Sequence, residues 1–589
     1  MPPRIHRFWP PAETHADAGC WRRTHLTGAL GCTAMTPEQL ATAVADAVSG
    51  AVEAGSLPIT VTDIPMDITI ERPRNPEHGD YATNVAMRLA KPSGLAPRVV
   101  ADFLATALEQ TPGIAAVDVA GPGFINITLD AAAAGEVART AVEAGPEFGH
   151  SDTLAGTAIN LEFISANPTG PLHLGHTRWA AVGDALARVL AAAGAQVTRE
   201  FYVNDRGVQM DRFGESIAAA AHGRPAPEDG YHGGYIVDLA AEIVAEHPDY
   251  LKLTGDEAMV AFREAGYQRQ LQQQQGVLEV FRTHFDVWYS ERSLHASGSV
   301  DAGFKALEAG GHMFTSDGAV WLRTTDFDDD KDRVLVKSDG ELTYFASDSA
   351  YYIDKRSRGF DICIYLLGAD HHGYVGRLKA IAACAGDDPG YNIEVLIGQL
   401  VKMYKGGQEV RLSKRAGNIV TLEDLVDEVG VDAARYTLAR YPVDSPLTLD
   451  LDLMVKRTND NPVFYVQYAH ARISSVLRNA AELGLDWRAA DFDPGLLSHE
   501  RETHLLAAIA EFPGVVATAA ELREPHRVAR FLEQLGADYH RFYDTCRVLP
   551  RADEEVTETT FERLWLCAAA RQTLANGLAM LGVSAPERM

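Results

Sequence analysis

Two histidines at the start of a helical segment are the residues best suited to chemistry. In "INLEFISANPTGPLHLGHTR" an apolar strand leads to Pro168 and Gly170, and a helical pattern begins near His173 and His176. A helix that starts at such a turn points unpaired amide groups and the positive end of its dipole at a ligand, which suits a triphosphate. Gly175 leaves room for close approach of a nucleotide. The alternative is that either histidine only caps the helix, because His-x-Gly-His is a short pattern.

A second segment supplies positive charge. In "LVKMYKGGQEVRLSKRAGN" a glycine-containing loop is surrounded by basic side chains, namely Lys402, Lys405, Arg411, Lys414 and Arg415. Lys414, next to Ser413, is suited to neutralise the charge that builds on a departing pyrophosphate during nucleotidyl transfer. A basic run is also typical of a solvated turn. The upstream His-x-Gly-His segment favours the phosphate interpretation.

The elements that must position these segments predict a multidomain α/β protein. Residues 155 to about 450 alternate β-rich runs such as "AINLEFIS" and "DICIYLLG" with helical runs, the layout of a parallel sheet with crossover helices. The segment that precedes this region begins with a helix capped by Thr36 and mixes helices with short strands. After residue 455 the apolar residues have helical spacing and no strands are predicted. The predicted divisions are 1–34 as a disordered extension or a misassigned start, 35–145 as an α+β domain, 150–455 as the catalytic domain with insertions, and 456–589 as a helical bundle.

Length and composition indicate a globular protein with several domains. A chain of 589 residues is too long for one core, and 46% hydrophobic with 23% charged residues is typical of globular proteins. The sequence contains no run of about 18 apolar residues, so no membrane span is predicted. The six cysteines form no C-x-x-C pair, which predicts free thiols in a reducing compartment. The net charge of -28 argues against a general basic field, so any contact with RNA needs local patches.

Taken together, the motifs resemble those of one enzyme family. "HLGH" and "RLSK" are similar to the HIGH and KMSK motifs of class I aminoacyl-tRNA synthetases, and "FYVNDRGVQMDRFGESI", "GADHHGYVGRLKA", "SKRAGN" and the terminal "APERM" resemble arginyl-tRNA synthetases. The resemblance covers nearly everything after Met35. It implies a Rossmann-type catalytic domain, an N-terminal domain that contacts the tRNA elbow and a C-terminal anticodon-binding bundle. The implied reaction is ATP-dependent ligation of L-arginine to tRNA(Arg) through arginyl-adenylate, releasing AMP and pyrophosphate.

The resemblance also implies which residues handle ATP, bound as its Mg²⁺ complex. Charge on the phosphates would be stabilised by three catalytic residues, His173, His176 and Lys414. Further ATP-binding positions would be Gly175, Ser413 and Arg411. Arg411 and Leu412 stand where KMSK has lysine and methionine, so the individual role of Arg411 stays open. No structural metal is expected.

The amino acid substrate calls for an acidic pocket, because a guanidinium is a planar fork that carboxylates and hydroxyls hold best. The family's arginine-binding positions match Glu162, Asn167, Tyr344 and Asp348. Asn167 would hold the amino acid backbone, Glu162 and Asp348 the cationic groups, and Tyr344 the guanidinium. A single acid is more often a surface carboxylate, but the matched spacing favours the ligand interpretation.

Two other polar segments have several interpretations. Asp370, His371 and His372 follow an apolar strand at the edge where open α/β sheets bind ligands, so nucleotide or substrate contact is expected there, with loop packing as the alternative. Adjacent histidines cannot easily face one ion, which argues against zinc. The run "DFDDDKD", residues 326–332, is expected to be a solvated loop, with a weak magnesium role as the alternative.

The expected partners are tRNA(Arg), L-arginine and ATP, and the protein is expected to act as a cytoplasmic monomer away from membranes. The rivals are a class I synthetase for another amino acid, another HIGH-type nucleotidyltransferase, and a non-catalytic tRNA-binding paralogue. Such a paralogue would be expected to have lost His173, His176 or Lys414, all of which are present. The sequence therefore favours the catalytic interpretation.

Overall fold

A computed structural model describes residues 35–65, 67–73, 75–410, 420–551 and 554–589. The predicted extension, 1–34, and the predicted ATP-binding residues Arg411, Ser413 and Lys414 lie outside the described residues.

The first domain is a small α+β unit around its own apolar core. Its elements are helices α1 (Pro37–Glu53), α2 (Val85–Ser93) and α3 (Pro97–Leu108) and strands β1 (Tyr81–Thr83), β2 (Ile114–Ala120) and β3 (Phe124–Leu129). The strands form an antiparallel sheet in the order β1-β3-β2. As predicted, Thr36 caps the first helix, in a capping box with Gln39. Helix α4 (Ala131–Ala144) follows and packs against C-terminal helices.

The central region contains most of the strands. They are β4 (Ala158–Glu162), β5 (Gln196–Val203), β6 (Val287–Ser290), β7 (Met313–Ser316), β8 (Ala319–Leu322), β9 (Arg333–Val336), β10 (Ile362–Gly368), β11 (Ile393–Gly398), β12 (Val401–Lys405), β13 (Gln408–Glu409) and β14 (Leu447–Asp450). Five of them form a parallel sheet in the order β11-β10-β4-β5-β6. The predicted parallel sheet is thus confirmed, and its carboxyl edge gathers the ends of strands that are distant in sequence.

Helices cover and extend this sheet. They are α5 (Leu174–Ala192), α6 (Val208–Ala221), α7 (Gly234–Glu246), α8 (Gly255–Val280), α9 (Glu291–Ala296), α10 (Ser299–Ala309), α11 (Tyr344–Ser357), α12 (Val375–Cys384), α13 (Leu422–Val429), α14 (Val431–Ala439) and α15 (Leu451–Met454). Helices α6 to α8 enclose a separate core, and β7, β8 and β9 form a small antiparallel sheet. Along the chain, α6 to α8 lie between β5 and β6, and β7 to β9 lie between β6 and β10.

Helix α5 is buried along almost its whole length. It packs on strand β4 so closely that a Cβ added to Gly183 would lie 2.4 Å from the Phe163 ring. Its Asp184 forms a buried ion pair with Arg435 of α14 at 2.5 Å, and Arg435 also donates to the Leu581 carbonyl at 3.0 Å. The helix that begins at the histidine pair is therefore tied to the sheet and to the last residues of the chain.

The C-terminal region is helical, as predicted. Its helices are α16 (Pro462–Glu482), α17 (Glu500–Ala510), α18 (Phe512–Glu521), α19 (His526–Thr545) and α20 (Glu558–Met580). Elsewhere the described chain forms 3-10 helices at Val61–Asp63, Pro76–His78, Gly145–Glu147, Pro248–Lys252, Thr324–Phe327, Ala369–Tyr374 and Pro494–Leu496.

One stretch has the length and apolarity of a membrane span, which sequence analysis did not recognise. In the part of the chain that the structure describes, Glu500–Glu521 passes this test, because an 18-residue window within it has a mean hydropathy of 1.3. The stretch comprises α17 and α18, and half of that window is buried within the protein. Core helices of a bundle share this composition because they bury apolar side chains against their neighbours.

Candidate active site

A strained turn leads from the sheet to the histidine pair. Directly after β4, Ile164 and Ser165 adopt positive φ angles of 69° and 44°, which non-glycine residues rarely do. The Ser165 hydroxyl donates to Glu162 Oε1 at 2.9 Å and accepts from the Tyr202 amide at 3.2 Å. Because such strain persists only where surrounding contacts hold it, the turn has the character of a functional loop.

The two histidines cap helix α5. The Gly175 amide donates to His173 Nδ1 at 3.1 Å, and the His173 amide donates to His176 Nδ1 at 3.3 Å. Their rings stack with centroids 3.9 Å apart. The structure therefore confirms that both histidines take part in capping the helix, and contact of their rings with a nucleotide stays a prediction. Capping fixes both rings at the entrance of the helix, while Gly175 is exposed.

The chain that follows the basic segment lies beside this turn. The Leu174 amide donates to the Val420 carbonyl at 3.1 Å, and the Leu422 amide donates to the Leu172 carbonyl at 2.8 Å. Thr421 also forms an isolated bridge with His173. The fold thus joins the histidine turn to residues 420–422, which follow the predicted KMSK-like segment along the chain.

Glu162 lies at the carboxyl end of β4 and is buried. Lys355 of α11 donates to its Oε2 at 2.5 Å, while Ser165 occupies Oε1. The sequence predicted Glu162 as an arginine ligand but gave no sign of this internal cation. Each carboxylate oxygen accepts two hydrogen bonds, so the pairing still leaves acceptor capacity for a substrate.

Asp348 lies in the first turns of α11, which Thr343 caps. Burial raises the pKa of Asp348 to about 6; the hydrogen bond from the Tyr374 hydroxyl opposes this shift, and the charges of Glu162 and Glu291 add to it. Within the described residues, no basic side chain lies at ion-pair distance from Asp348. Asp348 is partly buried, and a desolvated carboxylate without a cation is a favourable site for a cationic ligand.

Glu291 is a third acid of this site, and sequence analysis did not single it out. It is buried at the start of α9, immediately after β6, and burial raises its pKa. The phenol of Tyr202 lies among these acids: burial, together with Glu291, Asp348 and Glu162, raises its pKa above the usual range. The signal in the sequence was the position of Glu291 directly after the short strand "VWYS", at the same sheet edge as Glu162.

The other two predicted arginine-binding residues are exposed. Tyr344 is the first residue of α11, one turn before Asp348, and its side chain is 83% exposed. Asn167 is exposed in the loop before the histidine turn, and its carbonyl accepts from Gln274 Nε2 at 3.0 Å. Both residues therefore lie on the solvent side of the elements that carry the acids.

Asp370, His371 and His372 are exposed in a 3-10 helix directly after β10, at the carboxyl edge of the sheet. His371 Nε2 lies 3.5 Å from Asp370 Oδ2. In the described ranges no group of three or more His, Cys, Asp or Glu side chains is arranged to hold a metal ion.

The acidic run 326–332 is tied into its own loop. Arg333 donates to Asp329 at 2.8 Å and also contacts Asp330, while His312 pairs with Asp326 at 2.8 Å. Asp332 accepts from the Thr325 hydroxyl at 2.8 Å. These carboxylates are occupied by protein partners, as in a structural loop.

Family models cover most of the chain. The model described as "tRNA synthetases class I (R), catalytic domain" matches residues 149–226 and 247–444. "Arginyl tRNA synthetase N terminal domain" matches 38–129, and "DALR anticodon binding domain" matches 466–589. With its parallel sheet and a histidine turn at the sheet's carboxyl edge, the protein is a class I aminoacyl-tRNA synthetase.

Relatives and solved structures specify the family. The chain is 58% identical to the arginine–tRNA ligase of Kineococcus radiotolerans over 555 residues, covering 94% of this chain and all of the relative. The ligase of Renibacterium salmoninarum is 57% identical over the same coverage. A crystal structure of a putative arginyl-tRNA synthetase from Campylobacter jejuni matches with a TM-score of 0.71 and 31% identity, covering 78% of this chain and all of that one. The chain belongs to the arginyl-tRNA synthetase family.

Proposed function

We propose that the described acids and the histidine turn form the substrate site of an ATP-dependent arginine–tRNA ligase. The enzyme joins L-arginine to tRNA(Arg). The arginine carboxylate attacks the α-phosphate of ATP, giving arginyl-adenylate and pyrophosphate. The ribose hydroxyl of the terminal adenosine then attacks the activated carbonyl, giving arginyl-tRNA and AMP. No side chain forms a covalent intermediate, so catalysis rests on positioning and electrostatics.

ATP binds at the amino end of α5. The amides of the first turn and the helix dipole favour the phosphates, and the exposed Gly175 leaves space for them. His173 and His176 stabilise charge on the phosphates together with Lys414 and the Mg²⁺ that accompanies ATP. Ser413 and Arg411 bind ATP from the same segment. Support comes from the hydrogen bond of the Leu174 amide to the Val420 carbonyl, because it brings the residues that follow that segment to the helix entrance.

L-arginine binds over the carboxyl edge of the sheet. Asp348 and Glu162 receive its cationic groups, and Glu291 adds a third acidic side chain. The observation that carries the assignment is the partly buried Asp348, which has a raised pKa of about 6 and, among the described residues, no basic side chain at ion-pair distance. A guanidinium or ammonium bound there would neutralise the Asp348 carboxylate, which lacks such a partner in the protein alone. Tyr344 closes on the guanidinium, and Asn167 holds the amino acid backbone.

The remaining assignments concern residues at the edge of the sheet, the contacts with tRNA(Arg) and the state of the protein in the cell. Asp370, His371 and His372 contact the nucleotide or the amino acid from the edge of the sheet. The N-terminal domain and the C-terminal bundle hold tRNA(Arg) through local patches, since the chain as a whole carries a net charge of -28. The protein acts as a cytoplasmic monomer, and the metal it uses is the Mg²⁺ of the ATP complex.

Aminoacylation of purified tRNA with each amino acid in turn tests this function. Charging is expected with arginine alone, to require ATP and Mg²⁺, and to be absent with lysine or citrulline. Charging with another amino acid would refute the pocket assignment. Failure to charge tRNA(Arg) with any amino acid, by a folded protein that still binds it, would indicate a tRNA-binding protein without catalysis.

A further inference from the structure

A fully buried ammonium lies beneath the proposed arginine site. Lys355 follows Asp348 by two turns of α11, and its side chain is completely buried. Its Nζ lies 2.5 Å from Glu162 Oε2 and 3.9 Å from Glu200 Oε1. Lysine is almost never fully buried unless it is paired, because removing its charge from water costs several kcal/mol. A residue in this position therefore has a specific electrostatic role.

Aromatic rings complete the surroundings of this ammonium. Nζ lies 4.0 Å from the centroid of the Tyr365 ring and 4.5 Å from that of Tyr351. A desolvated cation over an aromatic face is stabilised by the negative charge of the ring face. The rings, together with the carboxylate of Glu162, fix the position of Nζ.

Glu200 is already satisfied by other partners. Arg358 donates to its two oxygens at 2.6 and 2.9 Å, and Asn160 and the Tyr351 hydroxyl also donate to it. The charge of Lys355 is therefore directed mainly at Glu162, which is also the nearer carboxylate.

This pairing makes the acids of the site unequal. Glu162 is neutralised by Lys355 and oriented by the Ser165 hydroxyl. Asp348 receives only a phenol hydroxyl, from Tyr374, and within the described residues it has no cationic partner. Glu291 has positive charge nearby, because Arg206 opposes the rise of its pKa by burial and His295 Nε2 lies 3.9 Å from its Oε1. Among the three carboxyl groups of the described site, Asp348 is therefore the one without a basic neighbour at ion-pair distance.

We propose that Lys355 is a positioning and specificity residue for arginine: it neutralises Glu162 and holds it as an oriented acceptor, while Asp348 keeps an unpaired charge for a cationic group of the substrate. This inference rests on the proposed function of Glu162 and Asp348. Without Lys355, the buried Glu162 carboxylate would carry an unpaired charge. Its side chain would then no longer be held in one orientation, and it would turn toward solvent or bind the substrate in the wrong place. Loss of Lys355 should therefore raise the KM for arginine strongly and change the KM for ATP only slightly.

The test uses the full chain in steady-state aminoacylation with saturating tRNA(Arg). Lys355→Met should lower kcat/KM for arginine about a hundredfold, mainly through KM, and change the KM for ATP less than about threefold. Lys355→Arg, which keeps the positive charge, should recover most of the loss. The matched control is Arg356→Met, because the neighbouring Arg356 forms a bidentate pair with Asp387 at 2.8 and 2.9 Å, away from Glu162. It should lower thermal stability and leave the KM for arginine within about threefold of wild type.

A double-mutant cycle decides whether Lys355 acts through Glu162. Adding Lys355→Met to Glu162→Gln should lower kcat/KM for arginine less than about threefold further, because the carboxylate that needs neutralising is gone. Multiplicative losses, an unchanged KM for arginine in Lys355→Met, or equal KM increases for both substrates would overturn the proposal. If Lys355→Met does not fold, the decision rests on the double variant, which buries no unpaired charge, compared with Glu162→Gln. A wild-type protein unable to charge tRNA with arginine would instead refute the function itself.

Discussion

Replacing Asp348 with asparagine should improve folding and damage recognition of the substrate. Burial raises the pKa of Asp348 from an ordinary 3.8 to about 6. Between these pH values the folded protein binds the proton more tightly than the unfolded chain does. Stability is therefore lost as pH rises through this window, and the loss is complete above about pH 6. The difference corresponds to about 3 kcal/mol.

Asparagine keeps the shape and an acceptor for the Tyr374 hydroxyl while removing the charge. At pH 7.5 the Tm of Asp348→Asn should exceed that of wild type by roughly 5 °C, because about 1 kcal/mol moves the Tm of a large domain by roughly 2 °C. At pH 4.5 most of this gain should disappear, since wild-type Asp348 is then protonated as well. The KM for arginine should rise about a hundredfold, with the KM for ATP within about threefold, because a charge-assisted contact becomes a neutral one.

Thermal unfolding from pH 4.5 to 8 and steady-state aminoacylation measure both effects. Asp354→Asn on the same helix is the control, because the Asp354 carboxylate pairs with Arg358 at 3.2 Å. That variant should lose stability at pH 7.5 and keep its KM for arginine. A Tm below wild type for Asp348→Asn at pH 7.5 would refute the electrostatic reasoning. Equal KM increases for arginine and ATP would refute the ligand assignment.

Three further predictions concern other parts of the protein. Lys414→Ala should slow adenylate formation, followed by single-turnover kinetics, about a hundredfold while leaving tRNA affinity intact; near-normal turnover would remove Lys414 from the catalytic residues. A chain that starts at Met35 should keep its solubility and kcat, because Met35 already packs against the N-terminal core; loss of soluble protein would contradict this. Pyrophosphate exchange with arginine should be near background for RNA-free enzyme and appear on adding tRNA(Arg), since tRNA bound by both outer domains would supply the energy that completes the substrate site. Robust exchange without tRNA would exclude that coupling.

The sequence by itself determined the class of the protein and the order of its elements. Strand and helix periodicity are local properties, so the parallel strands, the helix at His173 and the C-terminal bundle were readable from short windows. The family resemblance rested on motifs of the same local kind. The roles of Asn167 and Tyr344, which the structure leaves exposed, stay predictions.

Only the tertiary structure decided which carboxyl groups of the site are paired with basic side chains. Lys355 reaches Glu162 across 193 positions of sequence, and Glu291 joins them because β4 and β6 flank β5 in one sheet. Periodicity carries no information about such pairings, since it states which face of an element is apolar and not which distant side chain meets it. The ionisation of Asp348 likewise depends on its surroundings in three dimensions, because burial and neighbouring charges set a pKa.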